Sequence, residues 1–202
     1  DKQTEEHLSE HNLGYLYKTM VDAKSSAKYI YETSKTYSSN QQYPNNPFAR
    51  QLSTAAQFIN SGLETAVYYI SMGGFDTHNN QGNRQEKLLS TYAVSIQAFI
   101  EDLKKNDTFK DTLVMTFSEF GRRVSENASS GTDHGTANQV FILGQDLKKP
   151  GFYNDAPQLL NLHNGDLVHT VDFREIYATL LDKWLQVDDD QVLNRSFSKL
   201  DF

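Results

Sequence analysis

Cysteine is absent from this chain of 202 residues. Its absence excludes disulfide bonds, thiolate zinc sites, iron–sulfur clusters and cysteine nucleophiles. Long apolar runs are also missing, because the longest, at residues 66–70 and 140–143, fall far short of the roughly 20 residues that span a bilayer. The sequence therefore predicts no membrane span.

Basic charge is scarce as well. The chain has 19 lysine and arginine residues against 26 aspartate and glutamate residues, a formal net charge of -7, and no basic stripe. Nucleic acids and anionic membrane surfaces are bound by clustered lysine and arginine, so the acidic balance argues against both partners. The oligomeric state is not predicted, and the location stays open between exported or periplasmic and cytoplasmic.

The remaining composition, with 38% hydrophobic residues, is that of a folded globular protein. Apolar residues at steps of three and four along residues 4–33 predict an amphipathic helix or a helix pair broken near Gly14. A polar stretch at 35–47 holds two of the four prolines and predicts a surface linker. We therefore divide the chain into a helical segment with linker, 1–46, and a main domain, 47–202.

Within the main domain, helical patterns alternate with short apolar runs. The helices are predicted near residues 52–59, 84–105 and 172–185, and the strands at 65–72, 112–117 and 139–143. Apolar strands separated by helices are typical of a parallel sheet that is covered by helices on both faces. The predicted class is α/β, in which ligands bind beyond the carboxyl ends of the strands.

Metal-ligating side chains gather in the loops beside these predicted strands. They are Asp76, His78, Glu119, Asp133 and His134. Imidazole and carboxylate together favour zinc, manganese or iron over calcium. Each loop alone is more typical of solvated residues or helix caps than of a site, but three such loops at one sheet edge favour a shared site. Arg122 is either a surface ion-pair partner or, beside such a site, a group that binds an anionic substrate.

Two other histidines form a weaker alternative. His7 and His11 lie one helical turn apart and could share a metal ion, although an exposed polar helix rarely holds one.

Several motifs together resemble a known family. They are QLSTAAQFI (51–59), GGFDTHNNQ (73–81), SEFGR (118–122), EN (126–127), GTDHGTA (131–137) and HTVDFREIYATLLDKWL (169–185). In order and spacing they resemble the bacterial domain-of-unknown-function family 1501 over residues 49–187. That family in turn resembles the alkaline phosphatase and sulfatase superfamily, whose members hold two divalent metals at the carboxyl edge of a parallel sheet.

The resemblance implies roles for single residues. Asp76 and His78 match a pair that holds one metal, and His134 matches a further ligand of the same metal. Glu119 matches an acidic ligand, but Phe120 stands where the superfamily has a histidine. Asp133 has no firm counterpart and is expected to be either a ligand or a partner that fixes an imidazole.

The main departure from the superfamily lies upstream. Its enzymes carry a metal-binding aspartate and a serine or threonine nucleophile far upstream of the block that FDTH (75–78) resembles. In that upstream region this chain has a polar helix and a linker. We therefore expect the chain to be a carboxyl-terminal portion of a larger protein, or a truncated relative, with an incomplete two-metal site.

Three functions remain open at this point. The first is a metal-dependent hydrolase of phosphate or sulfate esters, with zinc or manganese held by Asp76, His78, Glu119 and His134 and with Arg122 binding the anion. The second is a noncatalytic binding or assembly protein that keeps part of the metal site. The third is a structural use of the fold without metal.

Overall fold

The computed structural model describes the backbone of residues 2–202 and the side chains of residues 13–202. Its α-helices are α1 (Lys2–Ser34), α2 (Pro47–Asn60), α3 (Gln81–Lys105), α4 (Phe173–Thr179) and α5 (Asp189–Leu193). Its strands are β1 (Val114–Met115), β2 (Gly121–Arg122), β3 (His134–Gly135), β4 (Ile142–Leu143), β5 (Leu162–His163) and β6 (Asp166–Leu167). The predicted helices are thus confirmed, with α1 continuous through Gly14.

Helices α2 and α3 pack together to form the hydrophobic core. Helix α2 begins at Pro47, whose fixed backbone angle suits a first helical position, and the side chain of Asn46 accepts a hydrogen bond from the Ala49 amide at 2.8 Å. The core side chains are Phe48, Leu52, Ala55, Ala56, Ile96, Phe99, Leu103 and Phe109. The three- and four-residue spacing of those on α2 and α3 places them on facing stripes, and Phe109 joins the core from the short 3-10 helix Phe109–Asp111.

The stretch predicted as a linker is tied to the core by a buried carboxylate. Asp102 of α3 is 1% exposed and accepts hydrogen bonds from Tyr37 at 2.9 Å, Ser39 at 2.8 Å and Tyr43 at 2.9 Å. Burial, and then the hydrogen bond to Asp102, raises the pKa of Tyr43 well above its ordinary value. Residues 37–43 therefore lie against α3, while the domain boundary at residue 46 stays a prediction.

The predicted parallel sheet, and with it the alkaline phosphatase-like α/β fold, is wrong. Across residues 2–202 the strands form only two-stranded antiparallel pairs, β1 with β4, β2 with β3 and β5 with β6. The chain between β1 and β4 contains no helix in this part of the structure. Parallel strands require a long crossover, usually helical, and without one the chain returns antiparallel.

The strand predicted at residues 65–72 is also wrong. This apolar run forms neither helix nor strand, and it belongs to no strand pair in the part of the chain described here. Tyr68, Ile70 and Met72 pack against the core, whereas Val67 is 66% exposed and Tyr69 is 74% exposed. An apolar run indicates a fully buried strand only when both faces are covered, and here only one face is.

The carboxyl-terminal part is organised around α4. Asp172 and Glu175 form a capping box at its start, and after Thr179 the helix widens into one π-helical turn, Leu180–Trp184. The backbone amide of Leu200 donates to the Thr179 hydroxyl at 2.8 Å, which fixes the final residues against α4.

Among the described helices, none contains a stretch that is both long and apolar enough to cross a lipid bilayer.

Candidate metal centre

The first part of the site lies in the segment that leads into α3. The amide of Thr77 donates to the Phe75 carbonyl at 2.8 Å, which closes a tight turn at Asp76. Asp76 and His78 are exposed, and Thr77 between them is buried. Thr77 is 2% exposed, and Gln85 of α3 donates to its hydroxyl at 2.9 Å. Burial of Thr77 therefore leaves the carboxylate and the imidazole on the open side of the segment.

The second part of the site is the β2–β3 hairpin. Antiparallel pairing sets Gly121 opposite Gly135 and Arg122 opposite His134. The intervening loop reaches back to the first segment, because the amides of Asn80 and Gln81 donate to the carbonyls of Ser129 at 3.0 Å and Ser130 at 2.9 Å. Residues 49 positions apart in the sequence are thereby joined through their backbones.

Glycines allow these backbones to come unusually close. A Cβ atom on Gly131 would lie 2.4 Å from the carbonyl carbon and oxygen of His78. On Gly135 it would lie 2.7 Å from the carbonyl carbon of Arg122. Real Cβ atoms do not approach backbone atoms to such distances, so any other residue at either position would push the loops apart. The sequence motifs contain both glycines, but only the structure shows that Gly131 contacts the FDTH segment.

Three ligand atoms converge where the two parts meet. Asp76 Oδ1 lies 2.9 Å from His78 Nε2 and 2.8 Å from His134 Nε2, and the two nitrogens are 3.2 Å apart. Ligands bonded tetrahedrally to zinc at about 2.0–2.1 Å are separated by roughly 3.3 Å. The donor set, one carboxylate and two imidazoles, and its spacing both fit a divalent ion of the zinc type.

The electrostatics of the cluster also suit a cation. The hydrogen bond from His134, with a smaller contribution from His78, lowers the pKa of Asp76 below its ordinary value. The carboxylate is therefore kept ionised, as a metal ligand must be. The side chains of Asp76, His78 and His134 are 65%, 47% and 45% exposed, so an ion can reach them from solvent.

The remaining predicted ligands lie outside this group. Asp133 Oδ1 is 3.8 Å from His78 Nδ1, on the other edge of the ring from the cluster, and it accepts from Asn127 Nδ2 at 3.4 Å. Glu119 is exposed, and within residues 13–202 its carboxylate forms no hydrogen bond. The side chains of His7 and His11 lie outside the described residues. Of the predicted ligands within residues 13–202, the structure brings together Asp76, His78 and His134.

Arg122 joins the two parts of the site through hydrogen bonds to backbone carbonyls. One terminal nitrogen donates to the Thr132 carbonyl at 2.7 Å, and the other donates to the Phe75 carbonyl at 2.6 Å. These bonds link the hairpin loop to the FDTH segment. The guanidinium is committed to backbone carbonyls in this arrangement, and its binding of an anionic substrate stays a prediction.

Sequence reasoning missed two contributors to the site. Asn127 donates to the His78 carbonyl at 3.0 Å, and its own side-chain oxygen accepts from the amides of Ser129 at 2.9 Å and Gly131 at 3.1 Å. Phe120 stacks on His134, with ring centroids 3.9 Å apart. The EN and SEFGR motifs contain these residues, but no local pattern indicates which distant segment they contact.

Comparison with known proteins gives one match. The model of a family described as "Protein of unknown function (DUF1501)" matches residues 11–197. No curated protein and no solved structure matches the chain. The resemblance to family 1501 is therefore confirmed, while the relationship to alkaline phosphatases and sulfatases is not among the matches.

Proposed function

This chain belongs to the DUF1501 family of proteins of unknown function, and we propose that it binds a divalent metal ion, zinc or manganese, and uses it to hydrolyse phosphate or sulfate esters. The observation that carries the proposal is the convergence of Asp76 Oδ1, His78 Nε2 and His134 Nε2 within 3.2 Å of one another. When Nε2 of both rings is unprotonated, the three donor atoms are close enough to share one divalent ion.

The residues present determine which ion fits. Zinc accepts both imidazole nitrogen and carboxylate oxygen, and manganese accepts the same mixture. Calcium prefers a larger set of oxygen ligands, which this cluster lacks. With three protein donors, the site has the ligand number of catalytic rather than structural zinc centres. A bound divalent ion polarises an ester oxygen or lowers the pKa of a water molecule.

We infer supporting roles for three residues around the cluster. Asp133 Oδ1 lies 3.8 Å from the outer nitrogen of His78, too far for a hydrogen bond, so the role proposed for it is an electrostatic influence on that ring. Arg122 and Asn127 hold the two segments in register through backbone carbonyls. The exposed face of the cluster admits a small anionic substrate.

A second function is favoured by the hydroxyl groups near the cluster. The hydroxyl of Thr77 is buried and bonded to Gln85, and the hydroxyl of Ser118 donates to the Phe120 carbonyl at 2.8 Å. Neither is free to act as a nucleophile in this arrangement, and the covalent route of esterases needs an activated one. A noncatalytic metal-binding or assembly protein is therefore the alternative to a hydrolase.

Calorimetric titration of the full chain with zinc and with manganese tests metal binding, with activity toward an aryl phosphate and an aryl sulfate measured in parallel. We expect saturable binding that is abolished in His134→Ala and unchanged in His163→Ala, since His163 is an exposed histidine outside the cluster. Turnover that disappears with His134→Ala supports the hydrolase. Binding without turnover supports the noncatalytic alternative, and absence of binding contradicts both.

A further inference from the structure

Phe120 lies flat against the imidazole of His134. The ring centroids are 3.9 Å apart and the ring planes differ by 6°. No other aromatic pair among the side chains described here is as close or as nearly parallel. The phenyl ring offers no ligand atom, so its contribution to a metal site cannot be coordination.

Phe120 is itself held in place from several directions. Its carbonyl accepts hydrogen bonds from Ser118 Oγ at 2.8 Å and from Asn138 Nδ2 at 3.2 Å. The guanidinium carbon of Arg122 lies 5.0 Å from the phenyl centroid, within the range of a cation–π contact. Since Arg122 is fixed by the carbonyls of Phe75 and Thr132, the phenyl ring has a rigid neighbour.

The imidazole it covers needs such support. His134 is 45% exposed, and an exposed histidine ring turns readily about its side-chain bonds. In the structure its Nε2 edge is directed at Asp76 Oδ1, 2.8 Å away. A flat surface against one face of the ring permits sliding within the plane but prevents the ring from tilting out of it, and the cluster distances depend on that plane.

We propose that Phe120 is a positioning residue for the metal centre, fixing the plane of the His134 imidazole so that Nε2 stays directed at the ion. This inference rests on the proposed function, because it assigns a role within the same site. An aromatic pair contributes about 0.5–1.5 kcal/mol beyond its buried area, which corresponds to roughly a three- to tenfold change in an equilibrium constant. We expect loss of the stack to weaken metal binding by that factor.

Three variants of the full chain test this role by zinc titration. Phe120→Leu removes the flat ring but keeps an apolar side chain, and zinc affinity should fall about three- to tenfold. Phe120→Tyr keeps the ring and should restore wild-type affinity. Phe117→Leu is the matched control, because Phe117 is 54% exposed and its ring lies beside Tyr69 instead of His134. Thermal unfolding of each variant without metal shows whether the fold is retained.

A second readout needs no metal. In the zinc-free protein, the ring protons of His134, assigned by their loss in His134→Ala, should be shifted upfield by the phenyl ring current in wild type and in Phe120→Tyr. Phe120→Leu should abolish that shift, and Phe117→Leu should not.

The two readouts separate failure of this inference from failure of the proposed function. Wild type that binds zinc while Phe120→Leu binds it equally well overturns the positioning role alone. Wild type that binds no zinc overturns the proposed metal centre and the role of Phe120 within it. An unshifted His134 ring in wild type shows that the stack is not formed and overturns the inference on its own.

Discussion

The α2–α3 core and the proposed metal centre are built in opposite ways. The core joins apolar side chains that are almost fully buried, such as Leu52, Phe99 and Leu103. The proposed centre joins side chains that are about half exposed, and its segments are held by close backbone contacts at Gly131 and Gly135. Core contacts supply stability because they remove apolar surface from water. The proposed centre depends instead on the positions of its ligand atoms. Substitutions in the core should therefore change stability, and substitutions in the centre should change metal affinity.

The largest effect is expected in the core. Leu103→Ala deletes a fully buried side chain, and we expect it to lower the free energy of unfolding by about 2–5 kcal/mol. Urea unfolding measures the loss, with Leu89→Ala as control because Leu89 lies on the same helix and is 52% exposed. Zinc affinity of the molecules that remain folded should not change. A matching loss of affinity would show that core and site are one unit.

The next effect concerns the site alone. Gly131→Ala places a methyl group against the His78 backbone, so the hairpin loop must move and the three ligand atoms must separate. We expect zinc affinity to fall about tenfold or more, the range found when groups supporting metal ligands are changed. Gly73→Ala is the control, because a Cβ atom there meets nothing within 4 Å. Equal zinc affinities of the two variants would refute the close-approach argument.

A smaller effect is expected where residues 37–43 join the core. Tyr43→Phe removes one hydrogen bond to the buried Asp102 carboxylate, and it should destabilise the protein by about 1.5 kcal/mol without altering zinc affinity. Tyr69→Phe, which changes a hydroxyl on a side chain that is 74% exposed, should have almost no effect. Urea unfolding and zinc titration measured together decide whether this region belongs to the core or influences the site.

The smallest effect is expected at Asp172, a charged residue that belongs neither to the α2–α3 core nor to the proposed metal centre. Hydrogen bonds from the Arg174 side chain and backbone lower the pKa of Asp172 to about 2 from an ordinary value of 3.8. Because the folded-state pKa is depressed, its contribution to stability is present above pH 3.8 and is lost as the pH falls through about 2. Asp172→Asn keeps the capping oxygen but removes the charge, at a cost of about 0.5 kcal/mol near neutral pH.

Unfolding of wild type and Asp172→Asn across that pH range gives the measurement. The difference in unfolding free energy should shrink between pH 3.8 and about 2. A difference that stays constant over this range would show that the carboxylate charge contributes nothing at the start of α4.

The helices could be predicted from the sequence because their signals are local. The spacing of apolar residues at 52–59 predicts α2, and that of Ile96, Phe99 and Leu103 predicts the buried face of α3. The start of α2 at Pro47, capped by Asn46, lies inside the stretch predicted as a linker. Strand pairing depends on which segments meet, and residues 65–72 carry the apolar composition of a buried strand without covering on both faces. The helix-free connection between β1 and β4 was the feature that pointed to an antiparallel pair.

The candidate site was predictable only in part. Residue type selected Asp76, His78, Glu119, Asp133 and His134, since few side chains ligate metals. It could not show that Asp76, His78 and His134 converge while Glu119 does not. The stack of Phe120 on His134 and the contact of Gly131 with His78 arise between segments far apart in the sequence. No periodicity or motif specifies such contacts, because they depend on the path of the whole hairpin loop.

Anomalous X-ray scattering tests the central claim most directly. Crystals of the full chain grown with zinc, measured at the zinc absorption edge, should give an anomalous peak enclosed by Asp76, His78 and His134, about 2.0–2.2 Å from each ligand atom. A zinc-saturated crystal with these side chains ordered and no peak between them, or with its peak elsewhere, would contradict the proposed metal centre.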